Sequence, residues 1–188
     1  LSMSSRKTKP STPELLFSER LVRWGKDRHS AAMRYLIAIA LLLITAPAMA
    51  QFWTHYTNER YGYELDIPPG YEGGGESDNG DGQAFYRPKS EQLLTVWGGH
   101  LLENFEAEVA QQQRFASDEN WAITYQASTP QWAVFSGRRG HRIFYQRMIP
   151  LCDGASYAAY RIEYNVRDLA AMEGIIDGLT RSFMPMGC

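Results

Sequence analysis

Between residues 121 and 164 the sequence divides into four short alternating segments, 121–128, 131–137, 142–149 and 156–164. Thr129-Pro130 and Arg139-Gly140 separate them tightly, and Cys152-Asp153-Gly154 supplies a longer link. Alternating segments joined by links this short become neighbouring antiparallel strands. The inward-facing sets read as Trp121/Ile123/Tyr125 and Ala158/Tyr160/Ile162/Tyr164. Whatever else the chain does, it must build around this meander.

The residues before it continue the pattern. An aromatic strand is expected at 52–56, then a turn at Asn58-Glu59-Arg60, then a strictly alternating strand at 61–67. That strand sets Tyr61, Tyr63, Leu65 and Ile67 on one side and Gly62, Glu64 and Asp66 on a wet side. Pro68-Pro69-Gly70 stops it, and the glycine-rich, acidic stretch 71–82 reads as a loop. Strands follow at 83–87 and 93–98 around Pro88-Lys89-Ser90-Glu91.

Two helices complete the pattern. Asn104 is an N-cap for a polar helix with a thin apolar stripe of Phe105, Val109 and Ala116. Asn165 caps the last helix, with Asp168 at the third position and a stripe of Val166, Leu169, Met172, Ile175, Ile176, Leu179 and Phe183. Gly174 and Gly178, one turn apart, let that helix lie close on a sheet. The fold class is α+β: an antiparallel β-sheet flanked by helices.

Residues 33–50 set the compartment. Arg34 opens an apolar run from Tyr35 to Ile44, Pro47 breaks it, and Ala48-Met49-Ala50 ends it. These are the basic, apolar and small-residue regions of a secretory signal. The run is about half the roughly 20 residues of a spanning helix, so cleavage before Gln51 and no membrane span after it are expected. Residues 1–32 read as a disordered extension or as sequence upstream of a true start at Met33. One domain of 138 residues then remains, at 51–188.

Of 19 Lys+Arg, 8 precede residue 51, and of 21 Asp+Glu only 3 do. The domain therefore carries 11 against 18, a net charge near −7. Nucleic acid as a partner is excluded by that balance, since phosphate binding needs a basic face. Cys152 and Cys188 are its two cysteines, and an oxidising compartment pairs them. A periplasmic or secreted location follows from both signals.

The order of elements, with the words Tyr61-Gly62-Tyr63, Ile67-Pro68, Asp81-Gly82, Phe85, Val96-Trp97-Gly98, Ser136-Gly137 and Phe144-Tyr145, resembles small exported bacterial proteins of the PsbP-like group. That superfamily includes the photosystem subunit PsbP and the import factor Mog. The resemblance spans most of 53–183 and implies an α/β/α sandwich with a binding or assembly role. It carries over no site residues.

Several candidate sites remain. Arg138, Arg139 and Arg142 stand together on one hairpin of an acidic domain, with Arg147 beyond, and can grip a carboxylate or phosphate. Asp78 and Asp81, in an acidic glycine loop, are an alternative calcium pair. However, an EF-hand register with Gly82 as its glycine ends on Pro88, where Glu is required. No other cofactor is implied. His55, His100 and His141 are scattered, and Ser156 lies outside a G-x-S-x-G word. Trp97 and Trp132 can line a groove that stacks a sugar ring or a partner's side chain.

The expectation is an exported, non-catalytic binding or accessory protein of the bacterial envelope, its partner an envelope protein or small ligand. The rivals are a periplasmic hydrolase or metal-dependent enzyme assembled from scattered His, Asp and Ser, and a calcium-dependent interaction domain. An enzyme requires one of the three histidines to meet a carboxylate or serine in a concave site.

Overall fold

The computed structural model describes residues 52–188. The expected signal at 33–50 and the segment 1–32 lie outside the described residues. The meander is present as β6 (Ala122–Thr129), β7 (Trp132–Arg139), β8 (Arg142–Pro150) and β9 (Ser156–Asn165). Beyond β9 the sheet continues through β5 (Leu93–His100), β4 (Gly82–Tyr86) and β3 (Glu72–Glu76), giving seven antiparallel strands in the order β3-β4-β5-β9-β8-β7-β6.

Helix α1 (Phe105–Asp118) covers part of one face and α2 (Leu169–Ser182) packs on the other. The α1 face buries Phe135, Phe144, Met148, Tyr157 and Ala159 beneath Phe105, Val109 and Ala116. The α2 face buries Ala158, Tyr160 and Ile162 beneath Met172, Leu179 and Phe183. The strand β9 is thus buried on both sides, and its alternation sorts residues between two cores rather than between core and water.

A second sheet shares the α2 side. The strands β1 (Thr54–Asn58), β2 (Tyr63–Ile67) and β10 (Met184–Pro185) form a separate antiparallel unit, with β2 central. Tyr63, Leu65 and Ile67 turn inward, as their alternation requires. The two early strands were expected in the one large sheet. They form their own because the last two-residue strand returns to β2, held by Met186 N–H donating to the Gly62 carbonyl at 2.7 Å. The Cys152–Cys188 disulfide, with Cα atoms 5.4 Å apart, ties the chain end to the β8–β9 link.

Four other expectations need correction. Part of the glycine stretch 71–82 is the edge strand β3; all five of its residues are exposed, so it pairs through backbone alone and shows no apolar alternation. It is pinned by Tyr56 Oη, which donates to both Glu76 oxygens at 3.1 and 2.9 Å, and by Asn58 Nδ2, which donates to Glu76 Oε1 at 3.0 Å. Tyr125 is 55% exposed rather than inward, because the β6–β7 register slips by one residue between Ile123 and Tyr125. A one-residue slip sends the next side chain to the opposite face. Leu169 is also exposed, since Asn165 caps a separate 3-10 turn, Val166–Asp168, and α2 starts only after it. Of the two helix glycines only Gly178 makes a close approach, and it is to Trp53, not to a strand: an added Cβ would collide with the indole, whereas Gly174 has open space around it. Among the described residues no helix is long and apolar enough to cross a membrane.

Candidate functional site

Helix α1 does not cover the whole of its sheet face. Beside its C-terminal half the strands present two transverse rows of side chains, of which Thr95, Arg161, Gln146 and Glu163 border a surface hollow. One row runs Thr95, Arg161, Gln146, Phe135 across β5, β9, β8 and β7; the next runs Leu93, Glu163, Phe144, Gly137. Above them lies a hollow of about 630 Å³, walled by Trp97 from β5 and by Gln112, Phe115 and Ala116 from α1, with Asp118 and Glu119 at its rim. That volume falls in the range of small-molecule sites.

The floor is polar and incompletely bonded. Gln146 is 1% exposed, and its Nε2 has no hydrogen-bond partner. Arg161, directly opposite in register, has a side chain 16% exposed; its Nε donates to Glu163 Oε1 at 3.0 Å, but its buried Nη2 donates no hydrogen bond. Burial lowers the Arg161 guanidinium from its ordinary value, opposed by Glu163 and Glu119. Its carbon lies 4.1 Å from the Phe144 ring centre and 5.2 Å from that of Trp121, a cation–π stack that fixes the guanidinium plane. Gln146 and Arg161, paired across the strands, thus each bury a nitrogen without a hydrogen bond, Arg161 Nη2 lying 3.8 Å from Glu119 Oε2.

The sequence singled out Arg138, Arg139 and Arg142, and the structure separates them. Arg139 and Arg142 are cross-strand partners on the α1 face. Arg142 Nη2 donates to Glu163 Oε2 at 3.1 Å; Arg139 Nη1 donates to the Glu119 carbonyl at 2.8 Å, with its guanidinium 4.3 Å from the Trp121 ring centre. Arg138 alternates to the other face and its Nε donates to the Gly140 carbonyl at 2.7 Å. All three are engaged within the domain, although Arg142 Nε, like Arg147 Nε and Arg161 Nη2, is buried without a hydrogen-bond partner; of these arginines Arg161 is the one that lines the hollow, and sequence reasoning did not single it out. A signal existed: Gln146 and Arg161 are polar residues on the same strand face as Phe144, Met148 and Ala159, which are buried.

Asp81 spends its carboxylate on its own loop, taking Asn79 Nδ2 at 2.9 Å and Ser77 Oγ. Among the described residues no group of three or more His, Cys, Asp and Glu side chains gathers to hold a metal, so Asp78 and Asp81 do not converge with a third acid.

Each histidine does meet a polar partner. His55 Nδ1 lies 3.0 Å from Asp66 Oδ1 and its Nε2 3.5 Å from Glu64; His141 Nε2 lies 3.4 Å from Glu91; His100 Nδ1 lies 3.0 Å from Ser156 Oγ. The last pair has the composition of a nucleophile and base, with Asp153 close by. Asp153, however, accepts from the backbone N–H groups of Ala155 and Ser156 at 2.9 and 2.8 Å, bonds that hold its carboxyl below the usual range. Ser156 is 1% exposed, so its hydroxyl is packed inside rather than presented to a substrate carbonyl. The contact reads as closure of the β8–β9 link.

A solved solution structure of cyanobacterial PsbP from Synechocystis sp. PCC 6803 is similar to this chain. The TM-score is 0.56 at 12% sequence identity, over 74% of this chain and 96% of that one. No family model matches the chain, and no curated protein does. The likeness bears on architecture: the fold is PsbP-like, as the sequence resemblance implied.

Proposed function

We propose that this PsbP-like chain is an exported, non-catalytic binding or accessory component of the bacterial envelope, and that the hollow beside α1 is its contact site. One observation carries the reading: Gln146 and Arg161, whose buried nitrogens Nε2 and Nη2 have no hydrogen-bond partner, are among the residues lining that hollow. An unmatched buried donor costs about 1–3 kcal/mol, a cost that a ligand's acceptor removes on binding. Export is supported by the Cys152–Cys188 disulfide, a bond that persists in oxidising compartments.

The test is affinity capture from native envelope extract with the full chain, its Phe115→Asp variant and its Arg138→Ala variant. Phe115 is 50% exposed on the hollow's wall, so the substitution blocks the site without opening a core. A component retained by wild type and Arg138→Ala but lost by Phe115→Asp supports the reading. Retention by Phe115→Asp, or loss with Arg138→Ala, would move the site to the hairpin tip. Loss on calcium chelation would move it to Asp78 and Asp81.

A further inference from the structure

The seven-stranded sheet ends on two strands that meet solvent in different ways. At one edge β3 has five residues, begins and ends on Glu72 and Glu76, and loses register between Gly73 and Glu76. Charge and irregularity of that kind discourage a further strand from pairing. At the other edge β6 runs eight residues, Ala-Ile-Thr-Tyr-Gln-Ala-Ser-Thr, with no charged residue and no proline. Its register slips only between Ile123 and Tyr125, so residues 125–129 form a regular free edge. The two-residue turn Pro130-Gln131 makes Thr129 and Trp132 a hydrogen-bonded pair. By alternation Ala127 and Tyr125 bond to β7, while Gln126 and Ser128 turn N–H and C=O away from the sheet.

That edge borders a groove. Helix α1 lies over β6 and β7, and a space of about 400 Å³ separates its flank from residues 126–129. It is distinct from the hollow described above, which borders β5, β8 and β9. Of the helix residues lining it, Phe105 and Val109 are buried, Ala110 and Gln113 are half-exposed, and the exposed Glu106 carries the groove's charge. A free strand edge beside a helix flank is the geometry of β-strand addition, in which backbone pairing supplies affinity and alternate side chains enter pockets.

Two kinds of strand compete for such an edge, and charge and side-chain character choose between them. A second copy, joined β6 to β6 about a two-fold axis, keeps both α1 helices on one face. It then presents its own Gln126 and Ser128, the residues paired with Phe135 and Ala133 on that face, to the groove. Those polar side chains gain little against Val109 and Ala110. Each domain also carries a net charge near −7, so two copies repel. A basic segment from another protein meets neither cost.

We propose that β6 accepts an extended, basic segment of a partner protein as an added strand, with β-branched side chains entering the groove beside Ala110 and a Lys or Arg at Glu106. This contact is separate from the hollow and does not depend on it.

Selection from a displayed library of random peptides of about six residues on the full chain tests it, followed by calorimetric titration of the best synthetic peptide. Alternating β-branched residues with a Lys or Arg should be enriched. A copy of that peptide N-methylated at its central residues keeps every side chain and charge but cannot pair, and should bind more weakly by roughly tenfold or more. Ser128→Pro removes an outward donor from the edge and should do the same. Ala110→Arg fills the groove from a half-exposed helix position and gives a second blocked variant that leaves β6 untouched. Glu106→Gln should weaken binding about two- to fivefold. Thermal melts confirm that the variants are folded. Failure to select any peptide overturns the proposal, as does enrichment of acidic ones or binding that survives N-methylation or both blocking variants. So does sedimentation showing a dimer that Ser128→Pro dissolves, which would give the edge to a second copy.

Discussion

Replacing Gln146 by Met should make the protein more stable while removing its binding. Gln146 is 1% exposed, lies between Phe144 and Met148 on its own strand, and faces Phe135 and Arg161 across the neighbouring ones. Phe135, Phe144 and Met148 are fully buried, so a thioether of similar volume enters surroundings already apolar on three sides. The substitution deletes one buried donor that has no acceptor, worth about 1–3 kcal/mol. For a domain of this size each kcal/mol is roughly 3 °C, so the melting temperature should rise by about 3–9 °C. Urea unfolding should show a higher midpoint with an unchanged slope, since the surface exposed on unfolding is the same. An unchanged or lower melting temperature would refute the reasoning, because Nε2 would then already be satisfied and the floor of the hollow would hold no vacant donor.

Three other outcomes follow from the same contacts. Cys188→Ser, or reduction, opens a loop with a sequence separation of 36 and should cost about 4 kcal/mol in the chain-entropy model; a melt with and without reductant should show a drop of roughly 10 °C, and no change would mean that β10 holds the terminus unaided. Gly82→Ala should prevent folding or lower stability by several kcal/mol (order of magnitude), because a Cβ there would collide with the Val96 carbonyl and sit 2.7 Å from Trp97 Cα; Gly140→Ala, with φ +61 and open space around it, should cost only about 1 kcal/mol. The hydrogen bond to Asp66, opposed by partial burial and assisted by Glu64, raises the His55 imidazole above its ordinary 6.5. The protonated ring is the stabilising form, so its contribution is full below about pH 6.5 and disappears as pH rises through the raised value. His55→Gln should flatten that slope in a melt series; an unchanged slope would assign it to another group. The effect is small, as for exposed pairs generally.

The parts of the fold that sequence made legible are those where one rule acted alone. Ala158, Tyr160, Ile162 and Tyr164 alternate because β9 is straight and its register unbroken. Asn104 was readable as a cap because its side chain has one local task, accepting from Ala107 N–H at 2.9 Å. The disulfide followed from two cysteines and an oxidising compartment. Tyr125 was misplaced because a bulge is a property of two strands, and the slip between Ile123 and Tyr125 leaves no mark in β6 by itself. The strand β3 was missed because glycines paired through backbone look the same as glycines in a turn.

The site was less legible than the fold, for a related reason. Clustered charge drew attention to Arg138, Arg139 and Arg142, yet adjacency along the chain placed Arg138 on one face and its neighbour on the other, and Glu163 and the Glu119 carbonyl occupied the other two. What distinguishes Arg161 and Gln146 is that their unpartnered buried nitrogens belong to residues lining the hollow, which depends on the β8–β9 register and on where α1 stops covering the sheet. Trp97, flagged as a possible groove wall, does line the hollow; Trp132 instead packs against the α2-side core with Arg147 at 5.3 Å from its ring centre.

The central claim is that ligand meets this protein in the hollow beside α1. The most direct test is a proton–nitrogen correlation spectrum of the full chain before and after addition of the low-molecular-weight fraction of native envelope extract. The account predicts that the Gln146 side-chain amide, the Arg161 Nε–H and the Trp97 indole N–H shift together while the Arg138–Gly140 hairpin stays still. Shifts confined to that hairpin or to the Ser77–Asp81 loop, with Gln146 unmoved, would contradict it.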